Sequence, residues 1–192
     1  MTHATSKLAE RAQRFIARHD CEVLDIGAGR GVDGLWFARQ GTPVTAYDYA
    51  PRLLDQALVV VAEEQLPFEA RYLNLTELRS VLAEGARLAR NRVGDRRRVV
   101  IARNVADATS TFGIESIARL CKMALRPGDR LFASAYLPVA EPDEENPLPE
   151  WVSGRFDPDV FLEHLRKAGA VKLEAKPIRI DGHDAVRVVA TW

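Results

Sequence analysis

Residues 23–49 of the chain read VLDIGAGRGVDGLWFARQGTPVTAYDY. The stretch starts with a short apolar run and passes through three glycines at alternate positions, Gly27, Gly29 and Gly31. A helical pattern and a second apolar run follow, and the second run ends at Asp48. This order predicts a buried strand, a tight turn, a helix and a second strand parallel to the first, the opening unit of an α/β sheet.

The alternation of strands and helices continues along the rest of the 192 residues. Short apolar runs between helical patterns predict three more strands, over 68–73, 98–102 and 130–136. Because helices separate these strands, the sheet is expected to be doubly wound and mostly parallel, with right-handed crossovers and helices on both faces.

The end of the chain departs from this alternation. Two strand-like runs, 171–179 and 185–191, follow each other directly and are joined by a turn at 181–183. They predict a hairpin, so at least one terminal strand is antiparallel to its neighbours.

The length and composition are those of one soluble domain, 1–192, with a leading helix within 1–20. Residues 138–156 form an acidic, proline-rich loop expected near the substrate side, either a solvated linker or a lid over the site. Formal net charge is zero, so no nucleic-acid partner is expected. Arginine outnumbers lysine, which we interpret as compositional bias rather than a phosphate-binding array.

No apolar run approaches the roughly 20 residues that span a bilayer, so no membrane contact is expected. Cys21 and Cys121 are interpreted as buried free thiols, and a cytoplasmic location is expected. The four histidines lack partners at metal-ligand spacing, so no metal site is predicted.

The glycine turn is placed where open α/β sheets bind ligands, beyond the carboxyl end of a strand. Its glycines allow a tight turn and close approach of a ligand to the backbone. Asp48 ends the next strand about twenty residues after the first glycine, where a carboxylate can accept two hydrogen bonds from a ribose diol. A glycine pattern alone is a weak signal, but together these features predict a nucleoside-cofactor site.

Two residues argue against a nicotinamide dinucleotide. The third glycine of that fingerprint would stand at Val32, whose side chain is branched. Asp25, just before the turn, would repel a pyrophosphate but would attract a ligand with a cationic amino group. S-adenosylmethionine, with a ribose diol and a positive amino group, satisfies both Asp25 and Asp48.

The residues at this point resemble those of class I S-adenosylmethionine-dependent methyltransferases. Residues 23–31, VLDIGAGRG, are similar to the first motif of that family, and 44–49 to its second. The turn RPGDRL at 126–131 and the terminal hairpin extend the resemblance over nearly the whole chain. The resemblance implies a seven-stranded sheet of order 3-2-1-4-5-7-6 with an antiparallel terminal strand.

Carried over by position, the resemblance also implies a set of cofactor-binding residues. They are Asp25, Gly27, Ala28, Gly29, Gly31, Asp48, Tyr49, Asn74, Leu75 and Arg103. Asp25 and the glycines would line the methionine moiety, Asp48 the ribose and Tyr49 the adenine. Many members carry an acid where this chain has Asn74, whose side-chain oxygen can accept the same bond from the adenine amino group.

The candidate catalytic residues are Asp107, Arg103 and Tyr136, all expected at the carboxyl edge of the sheet. Methyl transfer from a sulfonium needs alignment of the reactants, and it needs a base only when the acceptor must lose a proton. Asp107 is either that base or a cap of the helix after it. One family subgroup, which includes polysaccharide-modifying enzymes, has an arginine at the place of Arg103 and a histidine where this chain has Asp107.

The leading hypothesis is a methyltransferase (EC 2.1.1.-) acting on a small-molecule acceptor, favouring a hydroxyl of a sugar or polysaccharide-related group. The alternative is a non-catalytic S-adenosylmethionine-binding partner or regulatory domain. Little is inserted into the core fold, so the substrate site is expected to be small and open, suited to a modest acceptor. A partner domain or a second copy in a homodimer could also complete it.

Overall fold

A computed structural model describes residues 5–139 and 146–192. The strands are β1 (Cys21–Ile26), β2 (Val44–Asp48), β3 (Phe68–Tyr72), β4 (Arg97–Arg103), β5 (Arg130–Tyr136), β6 (Lys172–Ile180) and β7 (His183–Thr191). The helices are α1 (Lys7–Ile16), α2 (Val32–Ala38), α3 (Asp55–Glu64), α4 (Leu78–Arg90), α5 (Thr111–Ala124) and α6 (Pro158–Lys167). A 3₁₀ turn, Pro51–Leu54, precedes α3.

The seven strands form one sheet of order β3-β2-β1-β4-β5-β7-β6, which confirms the predicted order. Strands β1 to β5 are parallel to one another. β7 is antiparallel to both β5 and β6, so the predicted terminal hairpin is confirmed. The chain reverses its winding between β1 and β4, and a crevice opens there at the carboxyl ends of the strands.

Helices cover the sheet on both faces because the central strands are apolar on both sides. On one face, α1 and α2 pack Phe15 and Phe37 against Val99 and Phe132. On the other face, α4, α5 and α6 bury a larger cluster that includes Ile117. These two layers fix the central strands rigidly, and with them the loops that follow their carboxyl ends.

The turn into β5 is held by a buried carboxylate. Asp129 accepts hydrogen bonds from the Arg98 and Arg126 amides and from the Arg92 guanidinium at 2.7 to 2.9 Å. The Arg98 side chain is 1% exposed, pairs with Glu22 and donates to three main-chain carbonyls. This network lies at the amino edge of the strands, opposite the crevice.

Side-chain hydrogen bonds set the starts of two helices. The leading helix begins at Lys7, because the Ser6 hydroxyl caps it by accepting from the Ala9 amide. The helix after β3 begins at Leu78, since the Asn74 side chain accepts the Thr76 amide in a tight turn that precedes the helix.

Of the predicted loop 138–156, residues 140–145 lie outside the described residues, and the rest forms neither helix nor strand. Both cysteines are buried and free. None of the helices in the described ranges is long and apolar enough to cross a membrane.

Candidate functional site

The glycine turn lies at the carboxyl end of β1, and all three glycines have positive φ, 64°, 55° and 73°. A Cβ on Gly27 would approach Val105 Cγ2 to 2.6 Å, so this glycine packs the turn against the loop after β4. A Cβ on Gly29 would meet nothing within 4 Å. The backbone at Gly29 therefore faces open space, as a ligand cradle requires.

Close packing of α2 on the sheet depends on a glycine that the sequence analysis did not single out. A Cβ on Gly34 would lie 2.8 Å from the Phe68 ring and 3.3 Å from Asp25 Oδ2. The packing role that a dinucleotide fingerprint gives to the position of Val32 is thus supplied two residues later. Asp25 therefore disfavours a dinucleotide more strongly than Val32 does.

Asp48 ends β2 beside the glycine turn and is only 5% exposed. Its Oδ2 accepts the Gly29 amide at 2.9 Å, and its Oδ1 accepts the Ala50 amide at 2.8 Å. These bonds fix the carboxylate in one orientation. Because a carboxylate has about four acceptor sites, two remain for the hydroxyls of a diol.

Asp25, at 4% exposure, is the second buried carboxylate of the crevice. Burial, followed by the nearby charge of Asp33, raises its pKa to about 8, while Arg103 and the Gly34 amide act in the opposite direction. A cationic ligand group beside Asp25 would favour its ionised form. The crevice therefore favours a ligand that carries a positive charge beside Asp25.

Asp33 is a site residue that the sequence analysis missed. Its carboxylate accepts from the Ser6 amide at 2.9 Å, from the Ser6 hydroxyl at 2.7 Å and from Arg103 Nε at 2.9 Å. It thereby joins the start of α1, the start of α2 and the end of β4. Its position in the first turn of a helix is the only sequence signal, and that signal is common.

The residues predicted near an adenine lie at the ends of β2 and β3. Tyr49 is 70% exposed and Leu75 is buried. Asn74 Oδ1 accepts both the Thr76 amide, at 3.0 Å, and the Thr76 hydroxyl, at 2.7 Å. The oxygen expected to accept a bond from the adenine amino group is therefore already used within the loop.

Asp107 follows β4 and is fully buried. Its Oδ2 accepts the Tyr136 amide at 2.7 Å, and its Oδ1 has no hydrogen-bond partner among the described residues. Burial raises its pKa to about 6, against the effect of nearby amides. The suggested role as a helix cap is wrong, because the N-cap of α5 is Ser110.

Tyr136 ends β5 beside Asp107 and is 2% exposed. Its hydroxyl donates to Asp181 Oδ2 at 3.2 Å, and its ring packs on Trp151 and His183, with centroids 5.7 and 5.9 Å away. Burial and Asp181 raise its pKa to about 12, so the phenol stays protonated at neutral pH. Trp151, 47% exposed, extends this aromatic cluster to the surface.

Sequence comparison gives limited information. No protein-family model matches the chain. A 70-residue segment is 34% identical to hemagglutinin 1 of Eikenella corrodens, and it covers 36% of this chain and 22% of that protein. The match thus spans about a fifth of that curated relative.

Solved structures match nearly the whole chain. TehB from Haemophilus influenzae is 16% identical with a TM-score of 0.69, covering 98% of this chain and 62% of that one. The 1,6-didemethyltoxoflavin-N1-methyltransferase of Burkholderia thailandensis, solved with S-adenosylhomocysteine, is 18% identical with a TM-score of 0.66 and coverage of 96% and 76%. A TehB-like SAM-dependent methyltransferase from Corynebacterium glutamicum is 18% identical with a TM-score of 0.61 and coverage of 96% and 86%.

The strand order and these structural likenesses agree. The chain has the fold of class I S-adenosylmethionine-dependent methyltransferases. One fold hosts many functions, so the reaction depends on the residues of the chain's own site.

Proposed function

We propose that the protein transfers a methyl group from S-adenosylmethionine to a hydroxyl of a small molecule of the sugar or polysaccharide-related class. The observation that carries this proposal is the arrangement of Asp48 and Gly29 at the tips of β2 and β1. An oriented, buried carboxylate there stands beside an open glycine backbone. A ribose diol on Asp48 would bring the rest of a nucleoside cofactor over the turn.

The cofactor, when bound, supplies an electrophilic methyl group on a sulfonium. Asp25 offers a carboxylate to the cationic amino group of the methionine moiety, whose binding would favour the ionised form. Gly29, where a Cβ would meet nothing within 4 Å, would give this moiety access to the main chain, and Gly27, Ala28 and Gly31 would complete the turn beneath it. Tyr49 and Leu75 flank the adenine, and Asn74 holds the loop that contacts it.

Asp107 is the proposed base for a hydroxyl acceptor. Because the Tyr136 amide holds Oδ2, the unpaired Oδ1 is the atom that would receive the proton. A carboxyl group with a pKa of about 6 is ionised at neutral pH and is a stronger base than an ordinary aspartate. The hydroxyl oxygen would then attack the methyl carbon as the carbon–sulfur bond breaks.

Arg103 and Tyr136 are proposed to position the acceptor. Among the described residues, Arg103 bonds to Asp33 through Nε, and its side chain is 42% exposed, so its terminal nitrogens are available there to polar acceptor groups. The buried ring of Tyr136 packs on Trp151, and the exposed part of Trp151 would offer the acceptor an aromatic surface. Sugars are commonly held between such polar and aromatic groups.

A second candidate is a non-catalytic cofactor-binding domain, and the burial of Asp107 favours it. The Ser153 amide donates to the Asp107 main-chain oxygen at 2.7 Å, so the segment after residue 150 lies over this aspartate. Catalysis requires that this segment open when the acceptor enters. A binding domain requires no such motion.

Release of S-adenosylhomocysteine, measured across a panel of hydroxyl-bearing sugars, phenols and polyols, separates the two candidates. We expect turnover with a member of the panel, rising as the pH passes through about 6 because Asp107 ionises. Asp107→Asn should reduce kcat by about 10²- to 10⁴-fold. Asp157→Asn, which preserves the N-cap of α6, serves as control.

Cofactor binding without turnover over the whole panel would favour the binding domain. Turnover that is unchanged in Asp107→Asn would remove Asp107 from the reaction.

A further inference from the structure

A second cavity lies at the edge of the sheet opposite the glycine turn. It has a volume of about 320 Å³ and is bounded by α1 and by the sheet face of β5, β7 and β6. The register places Arg130, Thr191 and Lys172 in one row across the three strands. A second row, two residues further along each strand, consists of Phe132, Val189 and Glu174. Because strand side chains alternate between faces, these two rows share one face of the sheet.

The cavity is strongly cationic in a chain whose formal net charge is zero. Its charged lining is Arg11, Arg14, Arg18, Arg130, Lys172 and Glu174. The single carboxylate, Glu174, pairs with Arg11 at 3.2 Å. The other four cations make no salt bridge with any residue in the described ranges.

Arg130 shows the excess of positive charge in the cavity most clearly. Its guanidinium lies 4.1 Å from the centroid of the Phe15 ring, and Arg97 lies 5.6 Å from the same ring. Arg130 Nε is buried and has no hydrogen-bond partner among the described residues. Burial and the charge of Arg97 lower its pKa, so a bound anion would relieve an existing electrostatic cost.

The excess of arginine over lysine was interpreted as compositional bias, but the fold brings four of the arginines together around this cavity. We propose that the cavity binds a small, multiply charged oxyanion of the diphosphate type. Guanidinium groups from α1 and from β5 face the same space, and each can donate two parallel hydrogen bonds to a phosphate. Phe15, Phe132 and Val189 provide an apolar floor for the body of such a ligand.

The site is independent of the proposed methyl transfer. Arg130 starts β5, whereas the glycine turn follows the carboxyl end of β1, so the two sites lie at opposite edges of the sheet. Occupation of one does not require occupation of the other.

Isothermal titration calorimetry with inorganic pyrophosphate tests the proposal. We expect the wild-type protein to bind with a Kd below about 1 mM at low ionic strength. Affinity should fall when salt is raised from about 50 to about 300 mM. Arg130→Gln and the double variant Arg18→Gln/Lys172→Gln should each bind at least tenfold more weakly. The double variant changes only exposed side chains, so it remains informative if Arg130→Gln is poorly folded.

Arg166→Gln is the matched control, because it removes an exposed arginine from α6 on the other face of the sheet. It should bind pyrophosphate as the wild type does, and S-adenosylhomocysteine affinity should be unchanged in every variant. Citrate, titrated as a second probe, shows whether the cavity binds phosphate groups alone. An affinity for citrate equal to that for pyrophosphate would support an oxyanion site that also binds carboxylates. Lack of pyrophosphate binding, equal weakening in Arg166→Gln, or oligonucleotide binding that pyrophosphate does not displace would each overturn the proposal.

Discussion

Replacement of Asp48 by asparagine is the most informative single change in the crevice. The variant keeps the size of the side chain but loses the charge and half of the acceptor sites. A carboxylate that accepts both hydroxyls of a ribose makes two charge-assisted hydrogen bonds, each contributing about 1.5 kcal/mol or more. Their loss amounts to about 3 kcal/mol, which corresponds to roughly a 100-fold weaker affinity for S-adenosylhomocysteine.

The variant also perturbs the free protein, so a structural control is needed. Asp48 accepts the amides of Gly29 and Ala50, and an asparagine oxygen cannot serve both with the same strength. The free energy of unfolding should fall by about 1 to 3 kcal/mol. Asp129→Asn is matched to it, since Asp129 is also a buried carboxylate that accepts two amides, but at the opposite edge of the sheet.

Calorimetry below the unfolding transition of both variants provides the comparison. Asp129→Asn should be destabilised and yet bind S-adenosylhomocysteine within about twofold of the wild type, because it lies away from the crevice. An affinity of Asp48→Asn within about threefold of the wild type would refute the ribose assignment. Equal weakening in both variants would mean that loss of stability, not loss of a contact, explains the effect.

Three further predictions concern the crevice and the fold around it. Gly29→Ala should weaken S-adenosylhomocysteine binding in calorimetry and lower the free energy of unfolding by about 1 kcal/mol, because Gly29 has a positive φ. Gly27→Ala should lower the free energy of unfolding further, as measured by thermal denaturation, because its Cβ would also meet a neighbouring side chain. Burial raises the pKa of Asp25 in the folded state to about 8, well above its ordinary value, so the folded state binds more protons than the unfolded state. The unfolding free energy should therefore fall as pH rises from about 4 to 8 in urea titrations, and Asp25→Asn should remove that slope. S-adenosylmethionine affinity should rise over the upper part of the same pH range, since the ionised carboxylate is the form that binds a cation. Arg98→Met should lower the unfolding free energy by about 3 to 5 kcal/mol in urea denaturation, because it leaves a carboxylate and three carbonyls without their partner.

The succession of strands and helices could be predicted from the residues themselves, whereas the order of the strands in the sheet followed from the resemblance to a known family. Apolar runs bounded by glycine and proline mark the strands, and two strands without an intervening helix require the terminal hairpin. Helix starts were less predictable. The Asn74 side chain accepts the Thr76 amide and α4 begins only at Leu78, a local competition that apolar periodicity does not reveal.

The site was predictable only where one short segment contains the signal. Gly29 and Asp48 belong to a single β-α-β unit, so their meeting follows from the unit itself. Asp33 contacts Ser6 and Arg103, which lie 27 and 70 residues away along the chain, and only the completed fold brings these together. For the same reason, the cavity beside Arg130 could not be predicted, because it depends on the strand register and on the placement of α1.

The central claim is that the crevice at the glycine turn binds S-adenosylmethionine rather than a dinucleotide. Calorimetric titration of the wild-type protein with S-adenosylhomocysteine and with NAD, under identical conditions, tests it most directly. The account predicts one-to-one binding of S-adenosylhomocysteine and no heat of binding with NAD. Binding of NAD without binding of S-adenosylhomocysteine would contradict it.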